Sequence, residues 1–466
     1  MSGRRHSGFD YHYNEIVTAI LFKIEQTKHS KRSLSANIFG GSPITTDRTS
    51  TEQLSKPAAV TGMGTISPLG SDLETTWTNL KDGASGVVRV EDLEADGLEN
   101  TIAAPVKGYD PDAHFDGRRQ KRLDPYTQYG LIAVREALKD AGYDEENPPW
   151  DAERVGVVAG SGIGGIHTTE DQHKRLMDRG AKRVSPMTVP RQLINMLSGQ
   201  IAKAHGFKGP SSAIVTACAT SLDSIGLGLQ WIRSGRADTV IVGGAEESIT
   251  PLPIAGFKAL KALAERPESP EQASRPFDKD REGFVMGAGA GMLVLEDPEQ
   301  AQERGADVHG WIEGYAQTND AHHETSPPDD GEGAARAMEG ALKDAEVTLG
   351  DVDHINAHAT STPTGDAAEV RAIESVFADT SKPSVTATKS MTGHLLGGAG
   401  SLEAIICLKS LMDDFAPPTI NCDNPEPVPE FEIVQNEGRN EALSRGINNA
   451  FGFGGHNASM VLRANE

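Results

Sequence analysis

Short apolar segments that end in Gly or Ala alternate with longer amphipathic segments along most of this 466-residue chain. The short segments are rich in Val and Ile, as buried β-strands are, and the longer ones repeat their apolar residues at helical spacing. This alternation predicts an α/β fold. The predicted strands are Ala58–Thr61, Val155–Ala159, Ala213–Thr216, Thr239–Val242, Gly291–Leu295, Val352–Asn356, Ser384–Ala387 and Ser459–Leu462.

Parts of this pattern occur twice. The pentapeptide Ala-Leu-Lys-Asp-Ala begins at Ala137 and again at Ala341, each time shortly before an apolar strand. Four residues also recur at a constant offset of 167 positions: Phe284, Gly287, Val294 and Leu295 return as Phe451, Gly454, Val461 and Leu462. We therefore predict two related α/β halves that divide near residue 305, with a site between them.

Composition excludes several classes of protein. Asp and Glu number 67 against 44 Lys and Arg, and the resulting formal charge of -23 would repel nucleic acid. The three cysteines form no CxxC motif, which argues against a disulfide framework or a zinc finger and favours a reducing compartment. No apolar run approaches the roughly 18 residues of a membrane-spanning helix. We expect a cytoplasmic protein with no nucleic-acid or membrane partner.

The first 55 residues differ from the rest of the chain. They carry seven Lys and Arg against five Asp and Glu, a net charge of +2 that leaves -25 for residues 56–466. Residues 14–25 could form one short amphipathic helix, and residues 33–55 are rich in Ser and Thr, like a linker. We expect residues 1–55 to be a flexible extension, residues 56–305 the first half of the fold and residues 306–466 the second.

Cys218 stands where a predicted strand gives way to a helix. The helix is indicated by a buried stripe: Leu222, Ile225, Leu229 and Ile232. A thiol at a helix N-terminus is expected to have its pKa lowered from about 8.5, which favours the nucleophilic thiolate. A lone cysteine can equally be an inert core residue, so the position alone leaves both interpretations open.

Two of the fourteen histidines follow strands or lie in loops of small residues. His358 comes directly after the predicted strand Val352–Asn356, and His394 lies in Thr388-Lys-Ser-Met-Thr-Gly-His. Each could be structural on its own. Together with Cys218 they form a Cys/His/His set suited to acyl chemistry, in which a thiolate accepts an acyl group and imidazoles stabilise an enolate.

Two other motifs do not indicate the sites they suggest. The segment from Gly160 to Gly165 satisfies GxGxxG after a strand, but the residues after Gly165 lack the apolar helix face and the acidic strand end of a dinucleotide-binding unit. The segment Asp320-Ala-His-His-Glu is expected to be a solvated loop, because adjacent histidines need not point the same way. We therefore predict no metal and no nucleotide cofactor.

Four motifs resemble those of the type II β-ketoacyl-[acyl carrier protein] synthases. They are Thr216-Ala-Cys-Ala-Thr, Asn356-Ala-His-Ala-Thr-Ser-Thr, Thr388-Lys-Ser-Met-Thr-Gly-His and Asn449-Ala-Phe-Gly-Phe-Gly-Gly. The resemblance covers Pro57 to Leu462, and the β-ketoacyl synthase II branch matches best. It implies the thiolase fold, in which two duplicated α/β halves form five αβαβα layers, and a homodimer.

The resemblance also implies a role for individual residues. Cys218 would accept the acyl group, and the N–H groups of Cys218 and Phe453 would form the oxyanion hole. His358 and His394 would bind the malonyl thioester carbonyl, while the side chain of Phe453 would gate the acyl pocket. The remaining matches are Lys389, Asp366, Glu369 and Glu403 in a supporting polar network, Thr360 and Thr362 beside the pantetheine arm, and Ile163 in the pocket wall.

The implied reaction is the decarboxylative Claisen condensation of malonyl-[acyl carrier protein] with an enzyme-bound acyl group, a chain-elongation step of fatty acid biosynthesis. The alternative is a ketosynthase of a type II polyketide system, which the segment from Ser221 to Gly226 also resembles. The acyl substrates would arrive on the phosphopantetheine of acyl carrier protein. Because that partner is acidic, we expect a local basic docking site, formed by Arg118, Arg119, Lys121, Arg122, Lys258 and Lys261.

Overall fold

The computed structural model describes residues 55–91, 93, 97–99, 101–378 and 383–465. The predicted extension therefore lies outside the described residues, apart from Ser55. The strands are β1 Ala58–Ile66, β2 Val88–Arg89, β3 Ile102–Ala103, β4 Val155–Gly160, β5 Ser211–Ser212, β6 Thr239–Glu246, β7 Gly289–Glu296, β8 Gly310–Asn319, β9 His354–Asn356, β10 Ser384–Thr386, β11 Phe415–Ala416, β12 Arg439–Asn440, β13 Arg445–Gly452 and β14 His456–Ala464.

Helices connect most of these strands. They are α1 Leu73–Lys81, α2 Gly117–Gln120, α3 Pro125–Asp140, α4 Ile166–Arg179, α5 Thr188–Gln192, α6 Met196–His205, α7 Thr220–Arg233, α8 Pro251–Ala259, α9 Pro298–Glu303, α10 Glu332–Asp344, α11 Pro363–Val376, α12 Lys389–Thr392 and α13 Ala399–Met412. Among the described residues, no helix is both long and apolar enough to cross a membrane.

Ten strands join in the order β10-β9-β13-β14-β8-β1-β7-β6-β4-β5. This order has a centre of symmetry between β8 and β1. On either side of it come two antiparallel pairings and then two parallel ones, so that each strand of the first half has a counterpart in the second. The residues that recur at offset 167 agree with this, because Val294 and Leu295 lie in β7 while Val461 and Leu462 lie in its counterpart β14. The predicted duplication is confirmed.

The helices form three layers around the two halves of the sheet. The apolar sides of α7 and α13 pack in one core with strands of both halves, so these helices are the central layer. Helices α3 and α6 cover the outer face of the first half, and α10 and α11 cover that of the second. The arrangement is the predicted five-layer αβαβα fold. It explains why α7 and α13 are buried nearly all round.

Seven of the eight predicted strands coincide with β-strands, although their ends differ by a few residues. The exception is Ala213–Thr216, which is irregular, because the chain leaves β5 at Ser212 and bends toward Cys218. Of the strands longer than two residues, β8 and β13 were missed. Both are rich in Gly, Asn or charged residues, so their apolar content does not reveal them.

Candidate active site

Cys218 lies in a tight turn at the start of the central helix α7. A single 3-10 turn, Ala217–Ala219, precedes the helix. Ala217 has a φ of 51°, in the left-handed region. The β13 end comes so close that a Cβ at Gly452 would lie 3.0 Å from the amide nitrogen of Cys218, so only glycine fits there. The backbone N–H groups of Phe453 and Cys218 face the Cys218 sulfur and act to lower its pKa, which is the arrangement expected of an oxyanion hole.

The fold brings both candidate histidines to this thiol. His394 Nε2 lies 3.0 Å from Cys218 Sγ, and the His358 and His394 rings meet edge to face with centroids 5.3 Å apart. One donor atom from each of the three residues lies within 4.8 Å of the others. Phe284, which was not predicted, supports this geometry by packing edge-on against His394.

Burial controls the charge state of the set. It raises the pKa of the Cys218 thiol to about 12, although the Lys389 ammonium and the surrounding backbone N–H groups act in the opposite direction. The predicted lowering by the helix start is therefore wrong, because desolvation outweighs it. Burial also holds the pKa of His358 and that of His394 well below the usual imidazole value, and Lys389 acts in the same direction. The resting set is a thiol facing neutral imidazoles.

Glu369 fixes the loop that carries His358. Its two carboxylate oxygens accept hydrogen bonds from the amides of His358 at 2.8 Å and Ala359 at 2.7 Å. The Asn449 side chain donates to the same carboxylate at 3.3 Å. Burial raises the pKa of Glu369 to about 7, against the effect of the amide hydrogen bonds. Glu369 thus holds the backbone that carries His358.

Asp366 organises the next part of the same loop. It accepts hydrogen bonds from the amides of Phe277, Ser361 and Thr362 at 2.8–3.3 Å, and burial raises its pKa to about 6. The hydroxyls of Thr360 and Thr362 lie 3.2 Å apart and line the cavity above Cys218. Their position is compatible with the predicted contact to a pantetheine arm.

Lys389 and Glu403 form a buried ion pair, with Nζ 2.5 Å from Oε1 and both side chains only 1% exposed. Burial raises the pKa of Glu403 to about 7, while Lys389 opposes the rise. Lys389 is the cation whose field lowers the pKa of both histidines. The thiol of Cys218 and the imidazoles of His358 and His394 lie close enough together to bind a metal ion. The positive charge of the nearby Lys389 ammonium opposes the binding of a cation there.

The set opens into a cavity of about 330 Å³. Gly162 and Ile163, from the loop after β4, lie on its wall, so the GxGxxG segment is a pocket loop. Phe453 is 37% exposed at the cavity, and Gly454 and Gly455 after it have φ values of 86° and 73°. Side chains from both halves line the cavity, among them Phe257, His323, Thr325, Ala368 and Phe451.

The predicted docking residues divide into two groups. Lys261, which follows α8, is exposed and lines the cavity, and Lys258 lies in the last turn of the same helix. The island Arg118, Arg119, Lys121 and Arg122 is exposed at α2 but contributes nothing to the cavity lining. Of the six predicted docking residues, only Lys261 therefore borders the site directly.

Sequence reasoning missed Glu246 at the end of β6. This fully buried carboxylate accepts hydrogen bonds from the amides of Gly162 at 2.7 Å, Ile163 at 3.3 Å and Gly397 at 3.2 Å, and from the hydroxyls of Ser161 and Ser248. It ties the pocket wall to the loop after His394. The sequence does contain one sign of this role, since Glu246 ends the largely apolar strand β6. A carboxylate buried at such a position requires hydrogen-bond donors around it.

Comparisons with known proteins agree with this geometry. The Beta-ketoacyl synthase N-terminal domain matches residues 55–301 and the Beta-ketoacyl synthase C-terminal domain matches residues 309–423. The 3-oxoacyl-[acyl-carrier-protein] synthase 2 of Vibrio cholerae is 45% identical over 87% of this chain and 98% of its own, and that of Staphylococcus aureus strain COL is 45% identical over 88% and 99%.

Solved structures add a similar fold. A type II PKS acyl-carrier protein in complex with its ketosynthase bound to the hexaketide matches with a TM-score of 0.81 and 30% identity, over 88% of this chain and 100% of the matched one. The family domains cover more than half of the chain and the Cys/His/His set lies between its two halves. The chain therefore belongs to the β-ketoacyl synthase family of condensing enzymes.

Proposed function

We propose that this enzyme is a 3-oxoacyl-[acyl-carrier-protein] synthase of fatty acid elongation, which condenses malonyl-[acyl carrier protein] with an acyl group held on Cys218. The observation that carries the proposal is the placement of two neutral imidazoles beside one thiol, with His394 Nε2 3.0 Å from the sulfur. The relatives at 45% identity bear the name of the same activity.

The first step transfers the acyl group. Cys218 attacks the thioester carbonyl of the acyl donor, and the N–H groups of Cys218 and Phe453 stabilise the oxyanion that forms. The bond between the carbonyl carbon and the carrier sulfur breaks. The thiol proton passes through His394 Nε2 to the leaving carrier thiolate, which explains why a neutral imidazole beside a thiol suffices despite the raised pKa of Cys218.

The second step joins the two chains. Malonyl thioester loses carbon dioxide, and the enolate oxygen that results accepts hydrogen bonds from His358 and His394. For this step each neutral imidazole carries its one proton on the nitrogen that faces the cavity, so His394 takes up a proton at Nε2 and releases the one at Nδ1 after the acyl transfer. The enolate carbon attacks the acyl thioester on Cys218, and the Cys218 thiolate leaves and takes up one proton. The products are carbon dioxide, 3-oxoacyl carrier and free thiol. Lys389, beside both imidazoles, supplies positive potential where negative charge develops.

The partners follow from the same reaction. We propose acyl carrier protein as the substrate carrier, in line with the ketosynthase that was solved with its acyl-carrier protein, and we propose that no metal or further cofactor takes part. We propose that the enzyme acts in the cytoplasm. We also propose that it is a homodimer, because the short strand β5 lies at the edge of the sheet and is followed by the exposed Val215, which a second copy could cover. We also propose that the two halves divide at residue 305.

A type II polyketide ketosynthase is the second candidate, because structures of that class share the fold. Their identity of 30% is well below the 45% of the fatty acid relatives. The two candidates differ in the acyl donor, which is a saturated acyl group in fatty acid elongation and a polyketide, such as the bound hexaketide, for the matched ketosynthase.

The experiment is the incubation of the enzyme with saturated acyl- and malonyl-carrier proteins, with release of carbon dioxide and intact-protein mass of the carrier as readouts. We expect carbon dioxide and a 3-oxoacyl product two carbons longer. Cys218→Ala should take up no acyl group and form no product, while Cys407→Ala, which alters a buried cysteine away from the cavity, serves as the matched control. An acyl adduct on Cys218→Ala would refute the proposed role.

A further inference from the structure

The residue before the nucleophile has a backbone conformation that alanine normally avoids. The φ of 51° at Ala217 lies in the left-handed region, where the Cβ of an L-residue comes too close to the backbone. Such a conformation persists only where surrounding contacts hold it. Because Ala217 itself carries only a methyl group, its neighbours have to supply those contacts.

Thr216 is held at three of its atoms. Its N–H donates to the hydroxyl of Thr220 at 2.9 Å, and its own hydroxyl donates to Oδ2 of Asp223 at 2.5 Å. Its carbonyl oxygen lies against Gly452, where a Cβ would come within 2.7 Å of it. Thr216 therefore lies between the two segments whose amides face the Cys218 sulfur.

Asp223 is the anchor of this arrangement. It is 4% exposed in the first turns of α7, and its other oxygen, Oδ1, accepts a hydrogen bond from the Tyr315 hydroxyl of β8 at 2.7 Å. The Tyr315 ring lies so close to α7 that a Cβ at Gly226 would be 2.4 Å from it. The carboxylate in the first half thus also accepts a hydrogen bond from a tyrosine in the second, through the oxygen that does not face Thr216.

We propose that Asp223 is a positioning residue for the nucleophile turn: through the hydroxyl of Thr216 it holds Ala217 in its left-handed conformation and aims the amides of Cys218 and Phe453 at the acyl carbonyl. The inference rests on the proposed acyl transfer to Cys218. Neither Asp223 nor Thr216 contributes to the cavity lining, so both act without touching substrate.

The test measures the single-turnover rate of acyl transfer from acyl-carrier protein to Cys218 by intact-protein mass spectrometry. Thr216→Val keeps the shape of the side chain but removes the hydroxyl, and we expect the rate to fall by about 10- to 100-fold, as a small displacement of catalytic groups does. Thr216→Ser restores the hydroxyl and should restore most of the rate. Thr216→Ala replaces Thr216→Val if the latter does not fold.

Tyr315→Phe is the matched control. It removes the other hydrogen bond of Asp223 and should lower stability, yet it leaves the bond to Thr216, so the transfer rate should stay near that of the wild type. Adding Asp223→Asn to Thr216→Val should slow transfer no further, because the proposal lets Asp223 act only through Thr216. Alkylation of Cys218 by iodoacetamide, which needs no oxyanion hole, should proceed alike in Thr216→Val and wild type.

Two results would overturn the inference: wild-type acyl transfer in Thr216→Val, or an equal slowing by Thr216→Val and Tyr315→Phe in proportion to their loss of stability. Failure of the wild-type enzyme to take up any acyl group would instead refute the proposed function, and this inference with it. The two failures are therefore distinguishable from the wild-type measurement alone.

Discussion

At the scale of single residues, buried charge decides both the chemistry and the shape of the site. Lys389 and Glu403 form an ion pair in which each side chain is 1% exposed. The carboxylate oxygens of Glu369 and Glu246 accept hydrogen bonds from backbone amides. A substitution that removes one member of such a pair leaves the other member buried without a hydrogen-bond partner. The resulting loss of unfolding free energy exceeds what the hydrogen bond itself contributes. Substitutions at these positions should therefore affect fold and activity together.

Glu246→Gln tests the residue that the sequence did not reveal. An amide has an NH2 group in place of one acceptor oxygen, so it cannot accept from all the amides and hydroxyls that Glu246 serves. We expect the variant to lose about 1–3 kcal/mol of unfolding free energy and to elongate more slowly. Urea denaturation and product formation measure the two effects.

The neighbouring Glu247→Gln is the control for that substitution. Its carboxylate pairs with His167 at 3.2 Å rather than with the pocket loop, so acyl transfer should be nearly unchanged. Equal activity losses in both variants would show that the pocket loop does not depend on Glu246.

His354 gives a pH-dependent prediction away from the chemistry. It is fully buried between the hydroxyls of Ser384 and Thr386, and burial lowers its pKa to about 4. Between pH 6.5 and 4 the unfolded chain binds a proton there that the folded protein does not, so this contribution to stability is full above pH 6.5 and is lost as the pH falls.

His354→Gln should remove this dependence. Relative to the variant, the wild type should lose up to about 1.4 kcal/mol of unfolding free energy per pH unit below pH 6.5. Chemical denaturation of both proteins at pH 7.5, 6, 5 and 4.5 measures the difference. Parallel curves across this range would show that His354 does not titrate on unfolding.

At the scale of elements, the loop after β4 and the turn after β13 both line the cavity. Gly162 and Ile163 of the loop after β4 lie in the cavity wall. In the turn after β13, Phe453 is followed by two glycines at positive φ. We propose that an acyl chain lies beside the branched side chain of Ile163 in this wall. Each methylene that the pocket removes from water contributes about 0.8 kcal/mol.

Ile163→Phe should consequently shorten the pocket. We expect the variant to elongate short acyl donors at nearly the wild-type rate and to lose the long ones, with relative kcat/KM across a series of acyl lengths as the measurement. Ile163→Leu, which keeps the volume, should retain the wild-type profile. An unchanged preference in Ile163→Phe would place the acyl chain elsewhere.

At the scale of the whole molecule, the net charge of -23 opposes an acidic carrier protein, so docking requires a local basic surface. Lys261 borders the cavity, and Arg118 and Arg119 lie exposed on α2. Reversing these three charges should raise the KM for carrier-protein substrates and leave acyl-pantetheine analogues unaffected. The effect should diminish as added salt screens the charges.

Lys208→Glu provides the control for the charge reversal, because Lys208 is exposed but does not line the cavity. Its KM for carrier protein should stay close to that of the wild type. Equal increases for carrier-bound and pantetheine-bound substrates would argue that the reversed charges distort the site instead of docking the carrier.

The sequence by itself determined the class of fold and the Cys/His/His set that the fold brings together. Periodicity depends on neighbours a few positions apart, so the strands around Val155 and Thr239 and the helix after Cys218 were predictable, as was the duplication seen at Val294 and Val461. Motifs of small residues next to Cys218, His358 and His394 are local as well, and they predicted the set that the fold assembles.

Only the tertiary structure decided how these residues behave. The raised pKa of Cys218 arises from burial of its thiol, because the loss of solvation exceeds the effect of the helix start. The contacts of Glu246 with Gly397 and of Asp223 with Tyr315 join residues that are 151 and 92 positions apart. Burial and long-range pairing depend on how the layers pack, and no local pattern in the sequence contains that information.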